Sequence, residues 1–505
     1  MSRTSCLHLL RTLKTTAVSR CLSTKPQGSL AKWESVVGLE VHVQITSDSK
    51  LFSSAPYSFG CPPNSQVSTF DASIPGTLPV LNKRCVEVAV LTALALNCTI
   101  HKVSCFDRKH YFYADMPAGY QITQQRRPLA AGGYLDFPVF LPGSQETYWR
   151  RASLKQLQLE QDSGKSLHDG SRGLIDLNRA GVGLMELVFD PCLRDGEEAA
   201  SLTKELLLLL RAIGACTGKM EEGALRVDAN VSINKLGEAM GVRTEVKNLN
   251  SVRAVASAIE YEIERQAQEL SKGIPVRNCT MAFDSETRKT IPMRDKEVVQ
   301  DYRFMPEPNL PPLVLDDCKR TLPTLPSGHR RRLVDEYGLT LHQAQTIVSE
   351  DGTLLFFEEV MKQGQQDAKR VANWMLTELM GRTPRGISDC PVDSKRFGQL
   401  LTLLGRQTIS HGTAQNVLQM LVEGDSRTPG EIVEHKLWRQ IQDEEQLKEI
   451  CLKAMEQNQD SVKKARSGKK KALNPLMASV RVLSDSRADM AAAKALMIKL
   501  IEQSK

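Results

Sequence analysis

The first 33 residues of this 505-residue chain contain no aspartate and no glutamate. The segment is rich in serine and threonine, and six of its residues are cations: Arg3, Arg11, Lys14, Arg20, Lys25 and Lys32. Without these six the formal charge of +7 falls to +1, which excludes a global positive field, so any nucleic-acid binding must come from local patches. An acid-free, Arg- and Ser-rich segment is typical of a mitochondrial transit peptide, which we place at residues 1–30. A disordered basic tail is the alternative.

Long apolar runs and paired cysteines are also missing. The longest apolar run, Leu206 to Leu210, is far too short for a membrane-spanning segment. The twelve cysteines are scattered and include no C-x-x-C, so the sequence indicates neither a zinc ribbon nor a redox pair. Scattered thiols fit a reducing compartment such as the mitochondrial matrix, where we expect the protein to reside.

Several catalytic motifs are absent or incomplete. Gly164-Lys165-Ser166 resembles the end of a phosphate loop, but its earlier glycine is missing because Leu159 and Glu160 stand there. Lys165 remains a candidate point charge for a phosphate. Gly214-Ala215-Cys216-Thr217-Gly218 matches a glutaminase elbow, yet it follows a Leu-rich helical segment, so Gly214 is better interpreted as a helix stop. No H-E-x-x-H or G-x-G-x-x-G occurs.

What the chain does contain is three alternating stretches, near residues 37–45, 156–162 and 225–234. Side chains of a strand point to opposite faces with a period of two, so each stretch predicts a strand with one apolar and one polar face, as in an antiparallel sheet. The polar faces carry histidine, acids, arginine and asparagine, which bind metals and phosphates. A merely solvated outer face is the alternative.

The chain is predicted to be an α+β protein with an N-terminal part at residues 31–325 and two helical parts. Prolines between residues 306 and 326 mark the first boundary. Helical periodicity then indicates an all-α domain at residues 326–395 and a helical tail domain at residues 396–505. Within the N-terminal part, a helix is predicted to follow Ser251 and to end at Gly273.

Four residues on or near the polar faces suggest a metal site. Glu40 and His42 share one strand face, Glu160 lies on a second polar face, and Glu186 follows a turn-rich segment. Carboxylates with one imidazole suit Mg²⁺ or Mn²⁺, the ions that accompany nucleotide phosphates. Nearby cations that would offset phosphoryl charge are Lys165, Arg226 and Lys247.

Two cation-rich segments are candidates for RNA contact. Arg108 and Lys109 precede the aromatic run Tyr111-Phe112-Tyr113, a mixture that suits stacking and phosphate contact near an unpaired nucleotide end. Buried aromatics with snorkelling cations are the alternative. The tail contains a basic run that either contacts a phosphate backbone or forms a solvated helix face: Lys463, Lys464, Arg466, Lys469, Lys470 and Lys471.

From about Trp33 to its C-terminus the sequence resembles the GatB/GatE family, the B subunits of glutamyl-tRNA(Gln) amidotransferases, in its mitochondrial form. The resemblance is carried by several segments in the right order: Val37 to Val43, Phe106 to Tyr113, Asp176 to Arg179, Met220 to Gly223, Arg226 to Asn230, Lys247 to Ser251 and Asp301 to Arg303.

The resemblance implies a ligase activity in a heterotrimer. ATP would phosphorylate the glutamyl side chain of Glu-tRNA(Gln), and ammonia from a glutaminase-type A subunit would displace phosphate to give Gln-tRNA(Gln). A small C subunit would complete the complex. The resemblance also implies a glutamine synthetase-like cradle, a helical domain and a YqeY-like tail that binds tRNA. A non-catalytic tRNA-binding scaffold in the same complex is the alternative function.

The resemblance also implies roles for individual residues. Glu40, His42 and Glu186 would fall at metal and phosphoryl-transfer positions, with Glu160 beside them, and Asp228 and Asn248 would join the ATP-binding set. The chain departs from the family at Gln158, where bacterial relatives usually have His, and at Glu160-Gln161, where they have two acids. The resemblance makes the second acid a metal ligand, and Gln161 at that position offers the metal only a neutral oxygen. Either Glu160 or Asp162 then takes over as ligand, or the ion is bound more weakly.

Overall fold

The computed structural model describes residues 33–141, 143, 146–293, 302–316, 321–364, 366–441, 443–466 and 470–503. The predicted transit peptide at residues 1–30 lies outside them. The chain divides into two units, the first ending at Leu325 and the second beginning at Pro326. No helix of the described residues combines the length and the apolar character needed to cross a membrane.

The first unit contains all the strands of the described residues and three α-helices. The helices are α1 (Lys83–Ala95), α2 (Gly196–Ala212) and α3 (Val252–Ser271). The strands are β1 (Trp33–Gln44), β2 (Thr99–Ile100), β3 (Val103–His110), β4 (Tyr120–Arg127), β5 (Ala130–Phe140), β6 (Thr147–Gln161), β7 (Lys165–Asp169), β8 (Arg172–Asp176), β9 (Gly183–Phe189), β10 (Leu225–Lys235), β11 (Thr244–Leu249), β12 (Thr280–Asp284), β13 (Lys289–Pro292), β14 (Met305–Pro306) and β15 (Leu313–Val314).

The main sheet joins nine of the described strands in the order β13-β12-β11-β10-β1-β9-β6-β5-β2. Neighbours are antiparallel except β11 and β12, which are parallel. The first alternating stretch therefore forms the strand between β9 and β10, with the second stretch at the end of β6. The α+β prediction with a largely antiparallel sheet is confirmed.

The two faces of the sheet differ as the alternation predicts. On β1 the side chains of Val37, Leu39, Val41 and Val43 are fully buried, and they belong to one core with α1, α2 and α3. Helix α3 begins where the sequence predicts, because the Ser251 hydroxyl accepts a hydrogen bond from the Ala254 N–H at 3.0 Å. The helices thus cover the apolar face, and the other face is left to polar residues.

Two smaller strand groups accompany the main sheet. Strand β3 pairs with β4, β14 and β15, and β4 packs against β6 of the main sheet. This contact brings the end of β3 towards the polar face of the main sheet. Strands β7 and β8 form a separate two-stranded ribbon.

The second unit is helical throughout its described residues. Two hydrophobic clusters lie within it, one running from Leu333 to Val433 and one from Leu447 to Ile501. The domain boundary predicted between residues 395 and 396 falls inside the first cluster and stays a prediction. The helices are α4 (Pro326–Asp335), α5 (Leu341–Ser349), α6 (Thr353–Lys362), α7 (Ala368–Asn373), α8 (Ser394–Gly405), α9 (His411–Val422), α10 (Pro429–His435), α11 (Glu444–Gln457), α12 (Gln459–Arg466), α13 (Leu473–Leu483) and α14 (Met490–Gln503).

A buried ion pair fixes the long segment between β1 and α1. Lys50 is 1% exposed, and its Nζ lies 3.0 Å from Oδ2 of Asp71. Asp71 also accepts hydrogen bonds from the Ser53 hydroxyl at 3.0 Å and the Ser68 N–H at 2.9 Å, while Lys50 donates to the Leu177 carbonyl at 3.4 Å. Burial lowers the pKa of Lys50, and the Asp71 carboxylate offsets this only in part. The pair therefore ties this segment to the turn that precedes β9.

Replacing Lys50 by methionine should lower the free energy of unfolding by roughly 3 kcal/mol, because Asp71 would remain buried without its cation. Urea unfolding of the sheet unit measures this. Adding Asp71→Asn, which removes the charge and keeps an acceptor for Ser53 and Ser68, should recover part of the loss.

The matched control for this prediction is Lys219→Met, which removes the cation of an exposed pair with Glu222. That variant should unfold like the parent. Equal effects of the two methionine variants would contradict the structural role of the buried pair.

Candidate active site

Strand register places the polar candidates side by side. His42 on β1 pairs with Glu186 on β9 and with Arg226 on β10. Glu186 in turn pairs with Gln158 on β6. Since directly paired residues share a face of the sheet, the predicted site residues of four strands converge on the face opposite the helices.

His42, Glu160 and Glu186 form the one cluster of this kind in the described part of the chain. Each offers one ligand atom, and these atoms all lie within 4.8 Å of one another. Glu160 is 2% exposed and its Oε2 has no hydrogen-bond partner among the described residues. Two carboxylates and one imidazole, with a buried carboxylate oxygen that accepts no hydrogen bond from those residues, fit a divalent cation such as Mg²⁺ or Mn²⁺. Glu40 lies on the same face, outside this group of three.

Two glutamine amides orient the carboxylates. Gln121 on β4 donates to Oε1 of Glu160 at 2.8 Å, and Gln158 donates to Oε2 of Glu186 at 2.6 Å. Sequence reasoning named Gln158 only as a departure from the family and missed Gln121. The sequence could have placed Gln158 near the cluster, because strand alternation puts it on the same face as Glu160. It could not have placed Gln121, which belongs to a different sheet.

The two carboxylates resist being charged. Burial raises the pKa of Glu160, although Lys109 acts in the opposite direction. Burial likewise raises the pKa of Glu186 against the effect of Lys109, and Glu40 adds to the rise. A bound cation would remove this penalty, because it favours the ionised forms.

Lys109 occupies this site, although sequence reasoning assigned it with Arg108 to tRNA contact. Its Nζ lies 3.8 Å from Oε2 of Glu160 and 5.1 Å from the centre of the Tyr302 ring. Burial lowers the pKa of Lys109, but Glu160 and Glu186 outweigh it and raise the pKa overall. Arg108 forms two hydrogen bonds to Glu307, at 2.6 and 3.1 Å. Both cations therefore already have carboxylate partners within the first unit.

A β-bulge shapes the next part of the polar face. The pairing of β10 with β11 shifts between Val227 and Ala229, and the Asn248 N–H donates to Oδ1 of Asp228 at 2.8 Å. Asn248 adopts a left-handed backbone with a φ of 59°. Bulges often re-aim side chains beside active sites, and this one lies next to Lys247.

One contact connects the bulge to the cluster, and a second connects β10 to Glu40. Asp228 Oδ2 lies 3.9 Å from His42 Nε2, and Asn230 donates to Glu40 at 3.2 Å. Lys247 Nζ lies 3.5 Å from Oε2 of Glu245. Burial lowers the pKa of Lys247, yet Glu245 and Asp228 outweigh it, so the amine stays charged.

The predicted phosphate residues separate into two groups. Arg226 donates to Asp162 at 2.8 Å, Asp162 raises the pKa of Arg226, and the buried Nε of Arg226 has no hydrogen-bond partner among the described residues. Arg226 thus shares the face with the cluster. Lys165 is exposed on the separate ribbon of β7 and β8 and is not brought to the cluster.

Gln161 is also not part of the cluster. It pairs with Gly183, and a Cβ atom at Gly183 would lie 3.0 Å from Cys85 Sγ in the apolar core. By strand alternation the Gln161 side chain faces that core side, opposite to Glu160. We therefore leave Gln161 out of the metal site.

The basic residues of the tail lie in the second unit. Lys463, Lys464 and Arg466 are exposed at the end of α12, and Lys471 is exposed in the helical turn that follows. Lys469 and the side chain of Lys470 lie outside the described residues. The segment is an exposed cationic surface, and its contact with tRNA stays a prediction.

Comparisons with known proteins show which family the chain resembles. Residues 35–320 match the GatB/GatE catalytic domain, and residues 355–501 match the GatB domain that carries the YqeY-like tail. The chain is 49% identical over 482 residues to the B subunit of the mitochondrial glutamyl-tRNA(Gln) amidotransferase of Homo sapiens, covering 91% of this chain and 86% of the relative.

Other relatives have similar names. The mitochondrial B subunit of Danio rerio is 49% identical over 500 residues, which cover 94% of this chain and 90% of that protein. The B subunit of the aspartyl/glutamyl-tRNA(Asn/Gln) amidotransferase of Granulibacter bethesdensis is 44% identical over 455 residues, 88% of this chain and 92% of that protein.

We expect Mg²⁺ or Mn²⁺ to raise the melting temperature of the full chain. A ligand that binds only the folded state stabilises it by about 2.7 kcal/mol at a hundredfold excess over Kd. His42→Ala and Glu186→Gln should abolish the shift, as measured by thermal unfolding with and without the ion. Glu34→Gln, at the far end of the same strand face, should keep it. An equal shift in Glu186→Gln and parent would contradict the metal site.

Proposed function

The chain belongs to the GatB/GatE family, and on that premise we propose that its main sheet carries the ATP-dependent step of a tRNA amidotransferase. The protein is the B-type subunit of a mitochondrial enzyme that converts Glu-tRNA(Gln) to Gln-tRNA(Gln). The observation that supports the proposed site is the convergence of His42, Glu160 and Glu186 on one sheet face. Two buried carboxylates with raised pKa values do not stabilise a sheet, so their presence on this face indicates a functional role.

The reaction has two steps. A side-chain carboxylate oxygen of the glutamyl group attacks the γ-phosphorus of ATP, a C–O–P linkage forms, and ADP leaves as the bond between the β-phosphate oxygen and the γ-phosphorus breaks. Ammonia then attacks the acyl carbon, the C–N bond forms, the C–O bond to phosphate breaks, and the nitrogen loses a proton. Positioning and charge stabilisation are the main contributions a protein makes to such transfers.

The acidic cluster is where we place the divalent cation. His42, Glu160 and Glu186 would hold it, with Glu40 beside them on the same face. When bound, Mg²⁺ or Mn²⁺ supplies positive charge that offsets the phosphate oxygens of ATP. Gln121 and Gln158 hold the two carboxylates in place through their hydrogen bonds.

Two cations of the same face, Arg226 and Lys247, would meet phosphate oxygens. Arg226 donates to Asp162, and its guanidinium charge would offset phosphate charge from the same face. Lys247 is held beside the bulge, which the Asp228–Asn248 hydrogen bond fixes. Lys109 offsets part of the charge of the buried carboxylates. We give Lys165 no role in the site.

Ammonia has to come from a partner protein. The chain's one elbow-like cysteine, Cys216, is 4% exposed, and burial raises the pKa of its thiol, so it is a poor nucleophile. We propose a glutaminase-type A subunit as the source and a small C subunit as the third member. The non-catalytic scaffold is not favoured, since a scaffold would not require the cluster.

Transamidation by the assembled complex tests this function. Glu186→Gln and His42→Ala should each lower the formation of Gln-tRNA(Gln) at least a hundredfold, with either glutamine or ammonia as the nitrogen source, because the lost step precedes ammonia attack. Glu-tRNA-dependent ATP hydrolysis should fall in parallel. Glu34→Gln is the matched control and should behave like the parent. Parent-like turnover in both cluster variants would rule out this site.

The basic surface of the tail has a separate test. Neutralising Lys463, Arg466 and Lys471 to glutamine should weaken Glu-tRNA binding and reduce the salt dependence of log K by roughly one for each lost phosphate contact. Filter binding of the complex at several salt concentrations measures both. Lys453→Gln on the neighbouring helix α11 is the control. An unchanged salt slope would place tRNA elsewhere.

A further inference from the structure

Two large aromatic side chains lie exposed on the loop between β3 and β4. Phe112 is 88% exposed and Tyr113 is 56% exposed. Neither is used by the phosphoryl-transfer site described above. Adjacent exposed aromatics on a soluble protein commonly mark a binding surface.

The loop that carries them is well fixed by backbone hydrogen bonds. The Tyr111 N–H donates to the Gly119 carbonyl at 3.1 Å, and the Gly119 N–H donates to the Met116 carbonyl at 2.9 Å. A further bond of 2.9 Å, from the Gly164 N–H to the Asp115 carbonyl, ties the loop to the end of β6. The loop is therefore held in place at both ends and in its middle.

The ring of Phe112 lies against the backbone of Gly119, although most of its surface is exposed. Gly119 has a φ of +72°, and a Cβ atom there would lie only 3.0 Å from Cε1 of Phe112. The absence of a side chain at Gly119 thus allows the ring to lie against the backbone. The ring thus has the Gly119 backbone on one side, and the rest of its surface is open to a partner.

A continuous set of contacts joins the loop to the acidic cluster. The ring centres of Tyr113 and Tyr111 lie 5.5 Å apart, and the Tyr111 hydroxyl donates to Gln121 at 3.4 Å. Gln121 in turn donates to Glu160 at 2.8 Å. Tyr113 is therefore joined to Glu160 through Tyr111 and Gln121, and Phe112 precedes it on the same loop.

We propose that Phe112 and Tyr113 form a stacking platform for the unpaired nucleotides at the acceptor end of the aminoacyl-tRNA. This inference rests on the proposed function. The glutamyl group is esterified to the terminal ribose, so when its side chain lies at the cluster the last bases must lie within the length of one glutamyl chain and one ribose. Aromatic faces bind unpaired bases without regard to sequence, which suits an end that every tRNA shares.

Steady-state kinetics of the assembled complex test the platform. Phe112→Ala and the double variant with Tyr113→Ala should raise KM for Glu-tRNA(Gln) about tenfold or more. KM for ATP should not change, because the proposed ATP-binding residues do not include the loop. Phe112→Trp should retain parent-like values. Phe59→Ala, which removes an equally bulky ring that is 62% exposed on another loop, is the matched control.

Fluorescence of a base analogue in the tRNA reports stacking directly, which a change in the stability of the protein would not reproduce. Transfer RNA with 2-aminopurine in place of its terminal adenine should be quenched on binding the parent and Phe112→Trp, and not on binding Phe112→Ala. An unchanged KM together with unchanged quenching in Phe112→Ala would overturn the platform. Loss of co-purification with the partner proteins, together with unchanged quenching on the variant chain, would overturn it in favour of a protein contact.

The two proposals fail in different ways. Turnover that persists in His42→Ala would overturn the catalytic site. The quenching of 2-aminopurine would then decide by itself whether the platform binds the tRNA end. An inactive His42→Ala beside a Phe112→Ala variant with normal KM would keep the catalytic site and remove the platform.

Discussion

The site depends on the register of four antiparallel strands. His42 meets Glu186 because β1 and β9 pair at that position, and Gln158 meets Glu186 because β6 and β9 do the same. A shift of one residue in either pairing would turn each side chain to the opposite face, into the apolar core. The core residues of β1 are fully buried, so such a slip would also expose valine and leucine to water. Folding and site assembly therefore obey the same constraint.

Because the strand register brings two carboxylates together in a buried place, their charged forms are disfavoured, and the neighbouring groups offset this only in part. Two acids held close together in a buried place favour their protonated forms, and one lysine beside them offsets only part of their charge. Stability alone would favour neutral side chains here, as Gln121 and Gln158 already are. At the proposed site such excess negative charge would favour a divalent cation, because the cation would offset the cost of burying the two carboxylates.

The sequence predicts the features that depend on residues close together in the chain, and it fails for those that depend on residues far apart. Strand alternation is local, so the polar face with Glu40, His42 and Arg226 could be recognised from the sequence. The same holds for the start of α3, since the Ser251 cap lies three residues from its partner. Lys109 and Gln121 could not be placed, because their positions depend on β4 packing against β6, a contact between separate sheets. The cation-rich appearance of Arg108-Lys109 suggested RNA, whereas the structure supplies both with carboxylate partners.

At Gln161, the sheet face on which a side chain lies matters more than how close the residue is to Glu160 in the sequence. Glu160 and Gln161 are neighbours in the chain, so the sequence alone suggests that the missing second acid weakens a metal site. Within a strand, however, neighbours serve different faces, and Gln161 pairs with Gly183 on the core side. A carboxylate at that position would add a buried charge to the core face and nothing to the cluster. The amide at residue 161 therefore leaves the charge of the polar face intact, and the three proposed ligands on that face do not require a replacement for it.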